Sequence, residues 1–190
     1  MGAEAEPLFV YAQLNARLRP LDRGERYEEP LEQAFEKNGL GEVTGGGTLQ
    51  ATTSEIEYCG IDVDLFDVEN GIPFLCQFLS QCGAPKGSKL IYGEGADGKE
   101  VPFGILEGLG LYLNGTDLPD EVYKTCDSNV VYGEINRLLG QRGAIQSYWQ
   151  GPMETALYLY GYSADEMRSL IEPFVSTYPL CQRARIVSIA

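Results

Sequence analysis

Asp62 and Asp64 stand two residues apart in the apolar run Ile56 to Phe66, so both carboxylates project from one side of a strand. Carboxylates paired in this way can hold divalent ions for phosphoryl transfer, and oxygen-only ligands favour Mg²⁺ or Ca²⁺. No lysines accompany them to bind a triphosphate, and the matching later run, Thr155 to Tyr160, carries no acid. They therefore read as solvated or cleft-facing acids, and no metal site is expected. Gly45, Gly46 and Gly47 raise a phosphate reading. Phosphate loops place backbone amides at the start of a helix, often with a lysine next. These glycines follow a helical stretch and a short strand with no lysine after them, which fits a strand end or a wide hairpin.

The chain contains no histidine. That excludes an imidazole base, a Ser-His or Cys-His nucleophile pair, and histidine-ligated zinc or iron. Tyr, Asp, Glu and Cys remain as acids and bases, and no spacing singles out a nucleophile. The five cysteines (Cys59, Cys76, Cys82, Cys126 and Cys181) are odd in number and show no metal-ligand spacing. They read as small buried hydrophobes in a reducing compartment. Cys59 is expected on the helix side of its strand, buried and inert. No catalytic residue and no cofactor is assigned.

With 28 acids against 14 bases, the net charge is −14. Such a field repels phosphate backbones and anionic lipid and attracts basic protein surfaces. Nucleic acid and membrane are therefore excluded as partners. The cluster Arg17, Arg19, Arg23 and Arg26 is offset by Asp22, Glu25, Glu28 and Glu29, and reads as a solvated, salt-bridged surface. No apolar run reaches membrane-spanning length. The first seven residues show neither the basic and apolar regions of a leader nor a myristoylation pattern. A cytoplasmic protein is the expectation.

The elements that must position these side chains come in an order that occurs twice. A strand (Leu8 to Leu14), a helix (Tyr27 to Asn38), two strands (Glu42 to Leu49, Ile56 to Phe66), a helix (Glu69 to Gln81) and a strand (Lys89 to Tyr92) form the first set. The second set is Leu109–Asn114, Val130–Leu139, Ala144–Trp149, Thr155–Tyr160, Asp165–Thr177 and Ala184–Ile189. Ser163 with Glu166 forms a capping box, and Gly39 and Gly140 close their helices. Pro173 is expected to kink the last helix or to mark its early end. Asp97-Gly98 suits a tight turn returning Glu100 to Phe103 as an extra strand. The segment Asn114 to Asn129 reads as a loop. The domains are residues 1–104, with the terminal hairpin, and 105–190.

This order, βαββαβ twice, resembles the ferredoxin-like fold as a tandem pair over nearly the whole chain: an α+β protein of two antiparallel sheets, each with helices on one face. The resemblance implies that the first and third strands of each unit are central. Side-chain alternation then turns Leu8, Val10, Ala12 and Leu14, with Cys59, Ile61, Val63 and Leu65, toward the helices. Phe9, Tyr11 and Gln13 face the other way, beside Tyr58, Asp62 and Asp64. In the second unit Leu109, Leu111, Leu113, Leu157 and Leu159 face inward. Tyr112, Asn114, Tyr158 and Tyr160 face outward, with Tyr148 or Trp149 next to them.

Both open faces are therefore aromatic. Six rings of roughly 150 Å² each exceed the few hundred Å² that a monomer usually exposes in one patch. Sheet-on-sheet packing, a homodimer, a protein partner or a ligand must cover them. The expected function is non-catalytic binding or regulation through this Tyr-rich surface or a cleft between repeats, with a basic protein as the partner. The alternative is a small-molecule sensor or histidine-free enzyme using that cleft. The expected binding residues are Tyr11, Tyr58, Asp62, Asp64, Tyr112, Trp149, Tyr158 and Tyr160.

Overall fold

Val10, Ala12 and Leu14 alternate with less buried neighbours, as do Cys59, Ile61, Val63 and Leu65, and this period of two makes each run a strand with one dry face. A computed structural model describes residues 6–93 and 98–190. The first five residues, part of the stretch expected to carry no leader or acylation pattern, and Asp97 of the expected turn lie outside the described residues. The chain divides into two compact units, Met1–Leu49 with Ile56–Ile105, and Gln50–Glu55 with Leu106–Ala190.

The first unit runs β1 (Leu8–Leu14), α1 (Pro20–Arg23), a π turn (Gly24–Glu28), α2 (Glu29–Asn38), β2 (Gly41–Gln50), β3 (Ile56–Leu65), α3 (Val68–Gln81), β4 (Ser88–Tyr92) and β5 (Lys99–Phe103). Its sheet has the order β2-β3-β1-β4-β5. Central β1 pairs antiparallel with β3, Tyr11 opposite Asp62, and with β4, Ala12 opposite Leu90. β5 is the extra strand expected from the sequence, antiparallel to β4.

The second unit runs β6 (Glu107–Asn114), α4 (Asp120–Thr125), α5 (Ser128–Leu139), β7 (Gly143–Gln150), β8 (Glu154–Gly161), α6 (Ala164–Val175), a 3₁₀ turn (Pro179–Cys181) and β9 (Arg185–Ser188). Its order, β7-β8-β6-β9, repeats that of the first four strands. The protein is thus α+β, with two antiparallel sheets and two βαββαβ units. In the second core Leu109, Leu111, Leu157 and Leu159 meet Val131, Ile135 and Leu139 of α5 and Met167 and Ile171 of α6. Burying each such side chain contributes about 1.5–3 kcal/mol. Among the described residues no helix is long and apolar enough to cross a membrane.

Several local expectations change. The first helical run begins at Pro20, not Tyr27, because proline suits the first helical turn, where its missing N–H is not needed. Residues 114–129 are not all loop: Asp120–Thr125 forms α4, opened by two acids that suit a helix N-terminus. α6 runs two residues past Pro173, to Val175, and is capped by Ser176, so it ends short of the expected Thr177. Ser163 accepts from the amide of Glu166, as a capping residue should. Gly39 adopts φ +66°, the left-handed closure expected of it.

Candidate functional site

The glycine-rich stretch is part of β2, neither a helix start nor a strand end, and its neighbours explain it. Arg23, read from sequence as a solvated residue, is only 7% exposed. Its Nε donates to Glu28 Oε1 (2.5 Å), and its Nη1 donates to the Gly47 carbonyl and to Thr48 Oγ1 (2.9 Å each). A Cβ at position 46 would lie 2.6 Å from Glu28 Oε1 and 3.0 Å from the Gly60 carbonyl. The absent side chain at Gly46 lets β2 close over a buried ion pair. Side-chain direction also slips along β2: Gly41 abuts Leu65 on the helix side, whereas Gly45 abuts Asp62 on the other. β7, the equivalent strand, shifts register between Ile145 and Ser147. By contrast Arg19, bonded to Asp22 (2.8 Å), fits the surface pairing expected of that cluster.

On the face of the first sheet away from its helices, β1 and β3 bring Tyr11, Tyr58 and Asp62 together. The Tyr11 ring lies over Gly60, where no side chain would fit. Burial, then the neighbouring Tyr58 and Asp62, raise the Tyr11 phenol above its ordinary pKa, with Arg23 acting in the opposite sense. Asp64 lies one step along the same face, opposite Phe9, which is exposed. Among the described residues no group of three or more Cys, Asp or Glu is placed to hold a metal ion.

The second unit carries a denser polar cluster. Residues 50–55 form a tight loop, closed by the Ala51 amide donating to the Glu55 carbonyl (2.8 Å). Its end presents Glu55 to the tyrosines of β6 and β8. Tyr112 and Tyr158 both donate to Glu55 Oε1, at 2.5 and 2.9 Å. Their rings meet edge to face, with centroids 6.5 Å apart. Arg185 of β9, in register with Tyr112, lays its guanidinium 3.7 Å from that ring's centroid. Its Nε and Nη2 grip Glu154 at 3.0 and 2.8 Å. That two-pronged contact holds the Glu154 carboxyl below its ordinary pKa and Arg185 above its own.

Gly110 sits under Tyr112: a Cβ there would lie 2.6 Å from the ring. Trp149, opposite Ala156, is the β7 aromatic on this face, and its Nε1 makes a long contact with Ser54 Oγ (3.4 Å). Tyr148, opposite Leu157, belongs to the other face.

Tyr112, Tyr158 and Tyr160 point as the alternation requires but are buried, at 3%, 0% and 1% exposure. The structure thus gathers Tyr112, Tyr158 and Trp149 around residues 54–55, and Tyr11, Tyr58 and Asp62 within the first unit. Glu55, Arg185 and Glu154 were not singled out from the sequence. Arg185 was the most findable, as a cation within the last strand, in register with Tyr112. Glu55 gave no signal, because its partners lie 57 and 103 residues away.

Chemically, the cluster is a hydrogen-bonded carboxylate beside a paired guanidinium. The thiols are no readier to react. Burial pushes Cys59 up to about 12, and burial followed by the neighbouring Cys126 pushes Cys181 up to about 11. Burial raises Cys76 and Cys82 as well. No family model matches the chain, and no curated protein matches it.

Proposed function

We propose that this is a non-catalytic, cytoplasmic binding or regulatory protein whose partner is a basic protein. The observation that carries the reading is the charge of −14 and where part of it lies. Glu25, Glu29, Glu32 and Glu36, at intervals of four, three and four residues, are all exposed on the helical run 20–38. This spacing puts them along one side of the run. Such a ridge steers a cationic partner over distances comparable to the Debye length. Asp62 and Asp64, beside Tyr11 and Tyr58, add carboxylates and rings on the open face of the first sheet, the mixture that suits arginine-rich surfaces. The non-catalytic part is supported by the thiols, whose raised pKa values leave them poor nucleophiles.

The test is capture from native lysate with the protein and with its Glu25→Gln, Glu29→Gln, Glu32→Gln, Glu36→Gln variant as bait. A basic protein retained by the first, weakly by the second, and released by moderate salt is expected. Retention that ignores both salt and the four substitutions would refute the reading. A second reading, a small-molecule sensor or histidine-free enzyme, draws on one feature, the convergence of Tyr112, Tyr158 and Glu55 beside Arg185.

A further inference from the structure

The two repeats differ at one sheet edge. In the first, β5 lies antiparallel to β4, Val101 opposite Leu90 and Glu100 opposite Ile91, and it packs along α3. Pro102, which has no N–H, stands opposite Lys89. The ladder bonds therefore run through Ser88, Leu90 and Tyr92. After the strand, the Gly104 amide donates to Ser80 Oγ (3.1 Å). In the second repeat the sheet order stops at β9, the counterpart of β4.

Counting from the N-caps Asp67 and Ser163, Arg168 takes the place of Ile72, Glu172 of Cys76, Val175 of Leu79 and Ser176 of Ser80. These four, with Arg183 and Ile186, line a cavity of about 380 Å³. It lies on the same helix-and-strand flank that β5 occupies in the first repeat.

The edge itself is suited to a strand. The Ile189 amide donates to the Gly108 carbonyl (2.9 Å), so alternation turns Arg185 and Val187 toward β6, and Ile186 and Ser188 outward. The outward Ile186 carbonyl accepts a long bond from Arg168 Nη1 (3.3 Å). Arg183, held at φ +60°, is in a region disfavoured for a residue with a Cβ. Its Nη1 donates to the Asp117 carbonyl (3.1 Å). The cavity lining thus holds two arginines, Arg168 and Arg183, and one acid, Glu172, in a chain that is acidic as a whole.

We propose that the outer edge of β9 takes up an extended segment of a partner protein as a fifth, antiparallel strand, with an acidic side chain opposite Ile186. Residues paired across strands share a face, so that side chain enters the cavity on the helix side, where Arg168 and Arg183 receive it. Main-chain bonds to Ile186 and Ser188 supply affinity, and the cavity supplies selectivity. This edge is distinct from the acidic helical ridge and does not depend on the reading given for it.

The probe is a blocked synthetic peptide of residues 98–104 carrying Val101→Glu, which sets a carboxylate opposite Ile186 in the register of β5. Saturable binding is expected, with slowed amide exchange at Ile186 and Ser188. Arg168→Ala should weaken this peptide about tenfold, the loss of one charge-assisted contact, and leave the unsubstituted peptide unaffected. Ser188→Pro removes an outward N–H without touching the inward ladder, and should abolish binding of both peptides while the fold persists. Unchanged exchange at Ile186 and Ser188 with millimolar peptide would overturn the proposal. So would a dimer in which those amides are already protected without peptide, since a second copy would then hold the edge.

Discussion

Replacing Arg23 with alanine is expected to cost the first unit about 3 kcal/mol, and the figure follows from what the guanidinium touches. The Arg23 and Glu28 side chains are 9% and 22% exposed and meet at 2.5 Å. Deleting one partner of a buried pair costs about 3–5 kcal/mol, because the remaining charge keeps its desolvation without its counter-ion. Glu28 retains some contact with water, so the lower end applies, and it already includes the loss suffered by the Gly47 carbonyl and Thr48 Oγ1. Removing both charges together, as Arg23→Met with Glu28→Leu, avoids the stranded carboxylate and should recover all but about 1 kcal/mol.

Urea unfolding followed by circular dichroism reads the change, and amide exchange in β2 and β3 assigns it to the first unit. With a slope of about 2 kcal/mol per molar, the midpoint should fall by about 1.5 M in the single variant. A fall below about 0.5 M, or a double variant less stable than the single one, would refute this account of the ion pair.

Further outcomes are expected. Gly46→Ala should destabilise by about 1–3 kcal/mol, because its Cβ meets Glu28 and the Gly60 carbonyl. Gly47→Ala, which meets nothing within 4 Å, should stay within about 0.5 kcal/mol in the same unfolding assay. Tyr158→Phe should cost about 1.5–3 kcal/mol, the range for a hydrogen bond to a charged group, and Glu55→Ala should cost more because it strips both phenols of their acceptor; thermal unfolding compares them. Cys59 titrates near 12 when folded and near 9 when unfolded, so the unfolded chain loses its proton first and stability falls as pH rises above about 9. The loss attributable to this thiol should reach about 1.4 kcal/mol at pH 10 and be absent from Cys59→Ala, as measured by urea midpoints across pH 8–10.5.

What could be read from sequence was what repeats locally. Val10, Ala12 and Leu14 and their partners Ile61 and Val63 declare a half-buried sheet, and the second set of elements echoes the first. That was enough for the fold class; the central place of the first and third strands came from the resemblance it carries, and β5 from turn chemistry before Glu100. The helix start at Pro20 was hidden because Arg17–Arg26 reads as a polar surface, while in the structure one of its arginines turns inward to Glu28. The glycines of β2 were hidden for the same reason, since they are explained by side chains that reach them from another element. The direction of Tyr112, Tyr158 and Tyr160 followed from the pleat, but their burial did not. Glu55 sits in a loop, and no periodicity connects a loop carboxylate to strands far along the chain.

The most direct test of the binding-protein reading is native mass spectrometry of gently purified, untagged protein from its own cells. The expected spectrum contains the bare chain and a complex with a basic protein, the complex disappearing as salt is raised before desalting. A chain that instead carries a tightly held extra mass of a few hundred daltons, unaffected by salt, would contradict that reading and favour a small-molecule ligand.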